Sequence, residues 1–127
     1  MQRGLSTVQL LRYFTQNRDG WQLNAPIRAR VTFRQFNLLD DFSSLGHFDL
    51  IFCRNVLIYF EPNRKGDVLN RMSRILADDG IVVLGASESV LGLSTKLSGH
   101  PQHRGFFQFA GRVAAAPGAA YAARREA

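Results

Sequence analysis

The sequence predicts an α/β fold, on two short apolar runs and a helical stretch lying between them. Phe48-Asp49-Leu50-Ile51-Phe52-Cys53 is almost continuously apolar, the pattern of a strand covered on both faces in a parallel sheet. Ile81-Val82-Val83-Leu84 is a second such run, ended by Gly85. Between them Val68, Leu69, Met72, Ile75 and Leu76 recur at spacings of three and four, with Arg64, Lys65, Arg71 and Arg74 on other faces. Strand, helix and strand over about 35 residues form a βαβ unit, whose crossover places both strands parallel in one sheet.

The remaining elements follow in chain order. Leu5, Val8 and Leu11 recur at helical intervals, so 5–14 is expected to be helical. Asp19-Gly20 is a turn dipeptide between Tyr13-Phe14 and Trp21-Gln22-Leu23, which predicts a small hairpin or a helix-turn-strand. Pro26 opens a further connection, and Val31 to Phe36 alternates apolar with polar residues, as a half-buried strand does. Pro62 suits the first turn of the crossover helix, where its missing N–H costs nothing. Gly80 after Asp78-Asp79 is the expected helix stop, in a left-handed conformation. Residues 87–104 have no lasting period and read as a loop with a helical turn, and Phe106-Phe107-Gln108-Phe109 as a last strand. From Ala114 the chain is Ala-rich, with Pro117-Gly118 and a charged end, and is expected to be a frayed tail.

Composition narrows the function classes. At 127 residues, 46% hydrophobic and 20% charged, the chain fits one soluble domain or part of one. No run reaches the roughly 18 apolar residues that a membrane helix needs, and the start has no secretory layout. A cytoplasmic location without membrane insertion is expected. Cys53 is the single cysteine, so it has no disulfide partner, and no metal-ligand spacing surrounds it. His47, His100 and His103 form neither a triad nor a metal set. The net charge is +6, but the arginines never mass into a block. Nucleic acid is therefore not an expected partner, and a modest positive field favours an acidic substrate or an anionic protein surface.

In open α/β sheets ligands bind at the carboxyl ends of the strands. Three loops meet that condition here: the one from Asn37, the one from Arg54-Asn55, and Gly85-Ala86-Ser87-Glu88-Ser89. Taken singly, each residue has a plain structural use. Arg54 is a solvated strand end, Asn37 and Asn55 are turn formers, and Tyr59 is a core residue with a wet hydroxyl. Glu88 contacts a ligand or closes its loop through backbone hydrogen bonds.

The segment from Phe48 through Cys53-Arg54-Asn55-Val56-Leu57-Ile58-Tyr59-Phe60 closely resembles the chemotaxis receptor glutamate methyltransferases, the CheR-type family. Tyr13-Phe14, Val31 with Phe33, Asn37-Leu38-Leu39, Gly85 with Ser87-Glu88-Ser89 and the final aromatic run fall in the same order as in that family. The resemblance spans about residues 3–111. It implies the C-terminal portion of a Rossmann-like class I S-adenosylmethionine-dependent methyltransferase, over 1–111, with a small β-hairpin subdomain near 13–34 and a disordered tail from 112 to 127. It also implies that Asn37 and Leu38 line the adenine end of the S-adenosylmethionine site, that Arg54 and Asn55 lie against the cofactor, and that Tyr59 faces the transferring methyl. Arg54 and Tyr59 are then the catalytic candidates. The implied substrate is a glutamate side chain on the cytoplasmic helical region of methyl-accepting chemotaxis receptors. The hairpin looks shorter than in members with a Gly-rich insertion for a receptor tether, which implies tether-independent recognition.

The sequence also departs from the family pattern. Gly4 and Gly20 stand alone in the first 30 residues, so no glycine-rich strand-to-helix loop is present, nor the acidic residue expected for the ribose. Three expectations follow: weak cofactor binding without turnover by this chain, an uncovered edge and crossover-helix face, and self-association. The alternative to an enzyme is a catalytically inactive methyltransferase-like module acting in protein interaction. A nucleic-acid base or small-molecule methyltransferase is disfavoured, because Arg54-Asn55-Val56-Leu57 stands where an Asn/Asp-Pro-Pro-aromatic loop would be.

Overall fold

The computed structural model describes residues 4–112, in two units that divide between Phe36 and Asn37. The first unit is built from local signals. Helix α1 (Thr7–Tyr13) starts at Ser6, whose Oγ accepts from the Gln9 N–H at 3.2 Å while Gln9 Oε1 accepts from the Ser6 N–H at 3.1 Å. This capping box satisfies two orphan donors of the first turn. Strands β1 (Phe14–Asn17) and β2 (Gly20–Leu23) form an antiparallel hairpin registered from Phe14↔Leu23 to Asn17↔Gly20. The two-residue connection is therefore Arg18-Asp19. Asn17 Oδ1 accepts from the Asp19 N–H at 3.1 Å. Gly20 leaves the turn at φ +135°, a conformation closed to most side chains.

A single helical turn, α2 (Ala25–Arg28), follows Asn24, with Pro26 in its first turn. The half-buried strand expected at Val31 to Phe36 does not form: the segment has no strand assignment, and Phe33 is 82% exposed. Alternation only selects which face would be buried, and a ladder needs a neighbour to pair with. No strand pairs with this segment among the described residues.

The second unit holds a four-stranded sheet in the order β3-β4-β6-β5, made of β3 (Phe48–Cys53), β4 (Leu76–Leu84), β5 (Leu97–Gly99) and β6 (Phe106–Phe109). Strands β3 and β4 are parallel, with Leu50↔Ile81 and Cys53↔Leu84 in register, and helix α3 (Pro62–Ile75) makes the crossover. Strand β6 runs antiparallel to both β4 and β5. This is the predicted α/β class. Among the described residues, the buried apolar ones lie in this unit, from Phe42 to Phe107.

Several expectations are corrected here. Strand β3 is not covered on both faces: it sits at the sheet edge, with Leu50 47% and Phe52 68% exposed. The inner positions belong to β4 and β6, and Val82 of β4 is fully buried. The apolar stripe of α3, expected to be partly uncovered, is buried at Val68, Leu69, Met72 and Ile75. Gly66 contributes to this, because a Cβ there would stand 2.9 Å from the Leu93 carbonyl oxygen. The helix does not stop at Gly80. It ends at Ile75 and passes directly into β4, and Gly80 keeps a negative φ. The register jumps from Phe48↔Leu76 to Leu50↔Ile81, so Ala77-Asp78-Asp79-Gly80 bulges from the ladder. Glycine is needed at 80 for room, since a Cβ would fall 2.5 Å from Leu76 Cδ1. Strand β5, in the stretch read as loop, is only three residues long, too short for its alternation to show. The expected tail from Ala114 lies outside the described residues.

Candidate functional site

Strands β3 and β4 end side by side, at Cys53 and Leu84, and their following loops are joined by one side chain. The Glu88 carboxylate accepts four backbone N–H groups: Gly85 at 2.7 Å and Asn55 at 2.8 Å on Oε2, Val56 at 3.0 Å and Ile58 at 3.3 Å on Oε1. The Glu88 N–H in turn donates to the Gly85 carbonyl at 3.0 Å, closing the turn that carries the carboxylate. Partial burial opposes ionisation of Glu88, and the backbone N–H groups of Gly85 and of the Asn55–Ile58 loop outweigh it, holding the carboxyl below its ordinary value. Of the two uses open to Glu88 in the sequence, loop closure is the one the structure shows.

Asn55 takes φ +58°, making it the single non-glycine residue with positive φ among those described. Asparagine tolerates this left-handed conformation better than most side chains. Gly85 faces it: a Cβ on Gly85 would strike Asn55 Oδ1 and lie 2.7 Å from Glu88 Oε2. The close approach of the two loops therefore requires glycine at 85.

Two cavities flank this junction, and Phe52 lines both. The more polar of the two, about 670 Å³, is of mixed lining: Arg54, Gly85 to Ser89, Arg104 and Gly105 stand with Val83, Leu84, Phe106 and Phe107. An apolar one of about 410 Å³ is bounded by Leu38, Phe42, Leu50, Val56, Met72 and Ile75 among others. Leu38 is held there by a turn in which Asn37 Oδ1 accepts from the Leu39 N–H at 3.0 Å and the Asn37 carbonyl from the Asp40 N–H at 2.9 Å. Arg71 of α3 pins that turn by donating to the Leu38 carbonyl at 3.2 Å.

The sequence-predicted residues are thus distributed unevenly. Arg54 is exposed and faces the polar cavity, and Leu38 faces the apolar one. Asn37 is exposed at the head of its turn, and Asn55 is the pivot between loops. Tyr59 ends the 3₁₀ turn Leu57–Tyr59, is 82% exposed, and lines neither cavity. Arg104 lies in a polar loop without period, so nothing in the sequence marks it. Its place follows from β6 returning antiparallel beside β4, where the Leu84 N–H donates to the Gly105 carbonyl at 2.9 Å. Cys53 is buried, and burial together with the Glu88 carboxylate pushes its thiol up to about 11, leaving it an inert strand residue. Among the described residues no three His, Cys, Asp or Glu side chains are grouped to hold a metal, and no helix is long and apolar enough to cross a membrane.

Comparison with known proteins gives one consistent result. Residues 1–106 match the family model described as CheR methyltransferase, SAM binding domain. The chain is 52% identical over 92 residues to "Chemotaxis protein methyltransferase Cher2" of Pseudomonas putida, covering 72% of this chain and 34% of that one. It is 50% identical over 94 residues to "Chemotaxis protein methyltransferase 1" of Pseudomonas aeruginosa, covering 73% and 34%. It is also 38% identical over 82 residues to the "Probable biofilm formation methyltransferase WspC" of Pseudomonas aeruginosa, covering 63% and 19%. The chain spans about a third of the length of the first two of these curated relatives. With its sheet, its strand-end loops and this match in agreement, the chain belongs to the CheR methyltransferase family, through the SAM-binding domain of that family.

Proposed function

We propose that this chain forms the adenine side and part of the reaction side of an S-adenosylmethionine-dependent methyltransferase of chemotaxis. The reading extends to methyl transfer onto glutamate carboxylates of chemoreceptors, giving methyl esters in the cytoplasm. The observation that carries it is the junction of the β3 and β4 loops beside an apolar and a polar cavity, in a chain whose family domain binds S-adenosylmethionine.

The residues present suit one end of that cofactor. Leu38, Val56 and Phe52 offer an apolar wall for an adenine ring. Asn37 and Asn55 carry amide groups of the type that bonds its polar edge, and each precedes a residue of the apolar cavity, Leu38 and Val56, without lining that cavity itself. Arg54 borders the polar cavity, where it would orient an anionic group. When bound, S-adenosylmethionine supplies an electrophilic methyl on a sulfonium sulfur. The acceptor needs no base from this chain, since a glutamate with pKa about 4.3 is already a carboxylate at neutral pH. What the chain contributes is alignment, with Arg54 and Arg104 placed to draw a carboxylate to the polar cavity and the clamped loop fixing the backbone around it. Tyr59 would serve as an orienting hydroxyl if its turn closes over the bound cofactor.

Calorimetry of the chain with S-adenosylmethionine tests this reading. The expected result is measurable but weak binding, reduced about tenfold or more in Arg54→Ala, a loss of the size of one charged hydrogen bond. Incubation with methyl-labelled cofactor and the cytoplasmic helices of a chemoreceptor then reports base-labile methyl ester where turnover occurs. A second reading, an inactive module that binds protein partners, is favoured by the exposed Tyr59 outside both cavities. Binding to receptor helices with no binding of the cofactor would select it and overturn the first.

A further inference from the structure

We infer that Glu88 is a positioning residue for the cofactor site, acting through the backbone of the Arg54–Tyr59 segment rather than by touching a ligand. Its two oxygens divide the work. Oε2 ties Gly85, at the end of β4, to Asn55 of the β3 loop, while Oε1 ties Val56 and Ile58 of that loop. These bonds cross 30 to 33 residues of sequence on one side and only three on the other. The carboxylate thus imposes the conformation of a distant loop from a short local turn. That loop carries Asn55 at φ +58° and presents Arg54 to the polar cavity.

No backbone partner does the same work, because the donors of Asn55 and Val56 point to the carboxylate and not to a strand. A carboxylate is the one common side chain with two acceptor oxygens and no donor. Glutamine in its place keeps one acceptor and turns an NH₂ toward the other pair of N–H groups. Gly85 supplies the independent support: a Cβ there would occupy the space into which Asn55 Oδ1 and Glu88 Oε2 both approach.

The test measures amide hydrogen exchange and cofactor affinity on the full chain and on Glu88→Gln and Gly85→Ala. In Glu88→Gln, exchange at either Gly85 and Asn55 or Val56 and Ile58 should accelerate tenfold or more beyond any change at Val82 and Val83 of β4. Gly85→Ala should displace Asn55 and the Oε2 side of the clamp together, so exchange accelerates more at Gly85 and Asn55 than at Val56 and Ile58. The dissociation constant for S-adenosylmethionine should rise about tenfold in each variant at a temperature where both are fully folded. Acceleration shared equally by Val82 and Val83 would show a general stabilising role and overturn the inference. So would faster loop exchange with unchanged affinity. The affinity readout rests on the proposed function. Failure of the unsubstituted chain to bind the cofactor would overturn that reading, whereas unaltered loop exchange in Glu88→Gln would overturn the clamp itself.

Discussion

Strands β3 and β4 are neighbours, parallel and both apolar where Leu50–Cys53 pairs with Ile81–Leu84, yet their burial differs. Leu84 of β4 is 2% exposed, while Leu50 of β3 is 47% exposed. The difference lies in what flanks them: β4 has β3 on one side and β6 on the other, and β3 has β4 alone. Apolar character therefore states a capacity for burial, and sheet position decides how much of it is used.

The largest expected effect breaks this contrast directly. Leu84→Ala should cost about 2–5 kcal/mol in urea unfolding, as a core truncation does, whereas Leu50→Ala should cost about 1 kcal/mol or less. Equal losses would show that the edge of β3 is covered in solution. The junction between the two strands is next. Glu88→Gln should destabilise by about 1 kcal/mol, the net size of a hydrogen bond, because the N–H groups that lose a carboxylate oxygen are exposed or part-buried and water can replace it.

The same carboxylate links stability to pH. Its folded value lies below the ordinary one, so its contribution is complete above the ordinary carboxylate range and is lost as pH falls through the folded value. Thermal scans between neutral pH and pH 3 should show a smaller acid loss in Glu88→Gln than in the unsubstituted chain. Parallel slopes would mean other carboxylates carry the acid sensitivity.

The bare edge of β3 should also drive self-association. Light scattering after size exclusion is expected to show a mass above the monomer that rises with concentration, and Leu50→Lys should return it toward the monomer. A concentration-independent monomer in the unsubstituted chain would sink that expectation. The smallest effect belongs to the pivot. Asn55→Gly should change stability by less than about 1 kcal/mol, because relief of the left-handed backbone offsets the added freedom of the unfolded chain.

The two units differ in a similar way in how much of them the sequence reveals. In the first, the Ser6 and Gln9 capping box and the Arg18-Asp19 turn are local devices, and the helix and hairpin appear close to where the pattern puts them. The alternating stretch from Val31 is the exception, because no local signal states whether a pairing partner exists. In the second, the βαβ unit was legible from apolar runs and the helical stripe, but the shift from α3 into β4 at Leu76 was not. The stripe and the strand share one continuous apolar run there, and Asp78-Asp79-Gly80 reads equally as a helix stop and as a bulge.

By itself the sequence determined the α/β class, the parallel pair joined by a crossover helix and the family, and it singled out three loops as candidates for a ligand site, of which the one from Asn37 follows no strand in the structure. Those follow from periodicity and from an ordered motif, both written along the chain. The tertiary structure alone decided that β3 is an edge, that Arg104 joins Arg54 at one cavity, that Tyr59 stands outside both, and that Glu88 binds the loop of another strand. Each of these depends on groups brought together from distant positions, and neither spacing nor composition encodes such a meeting.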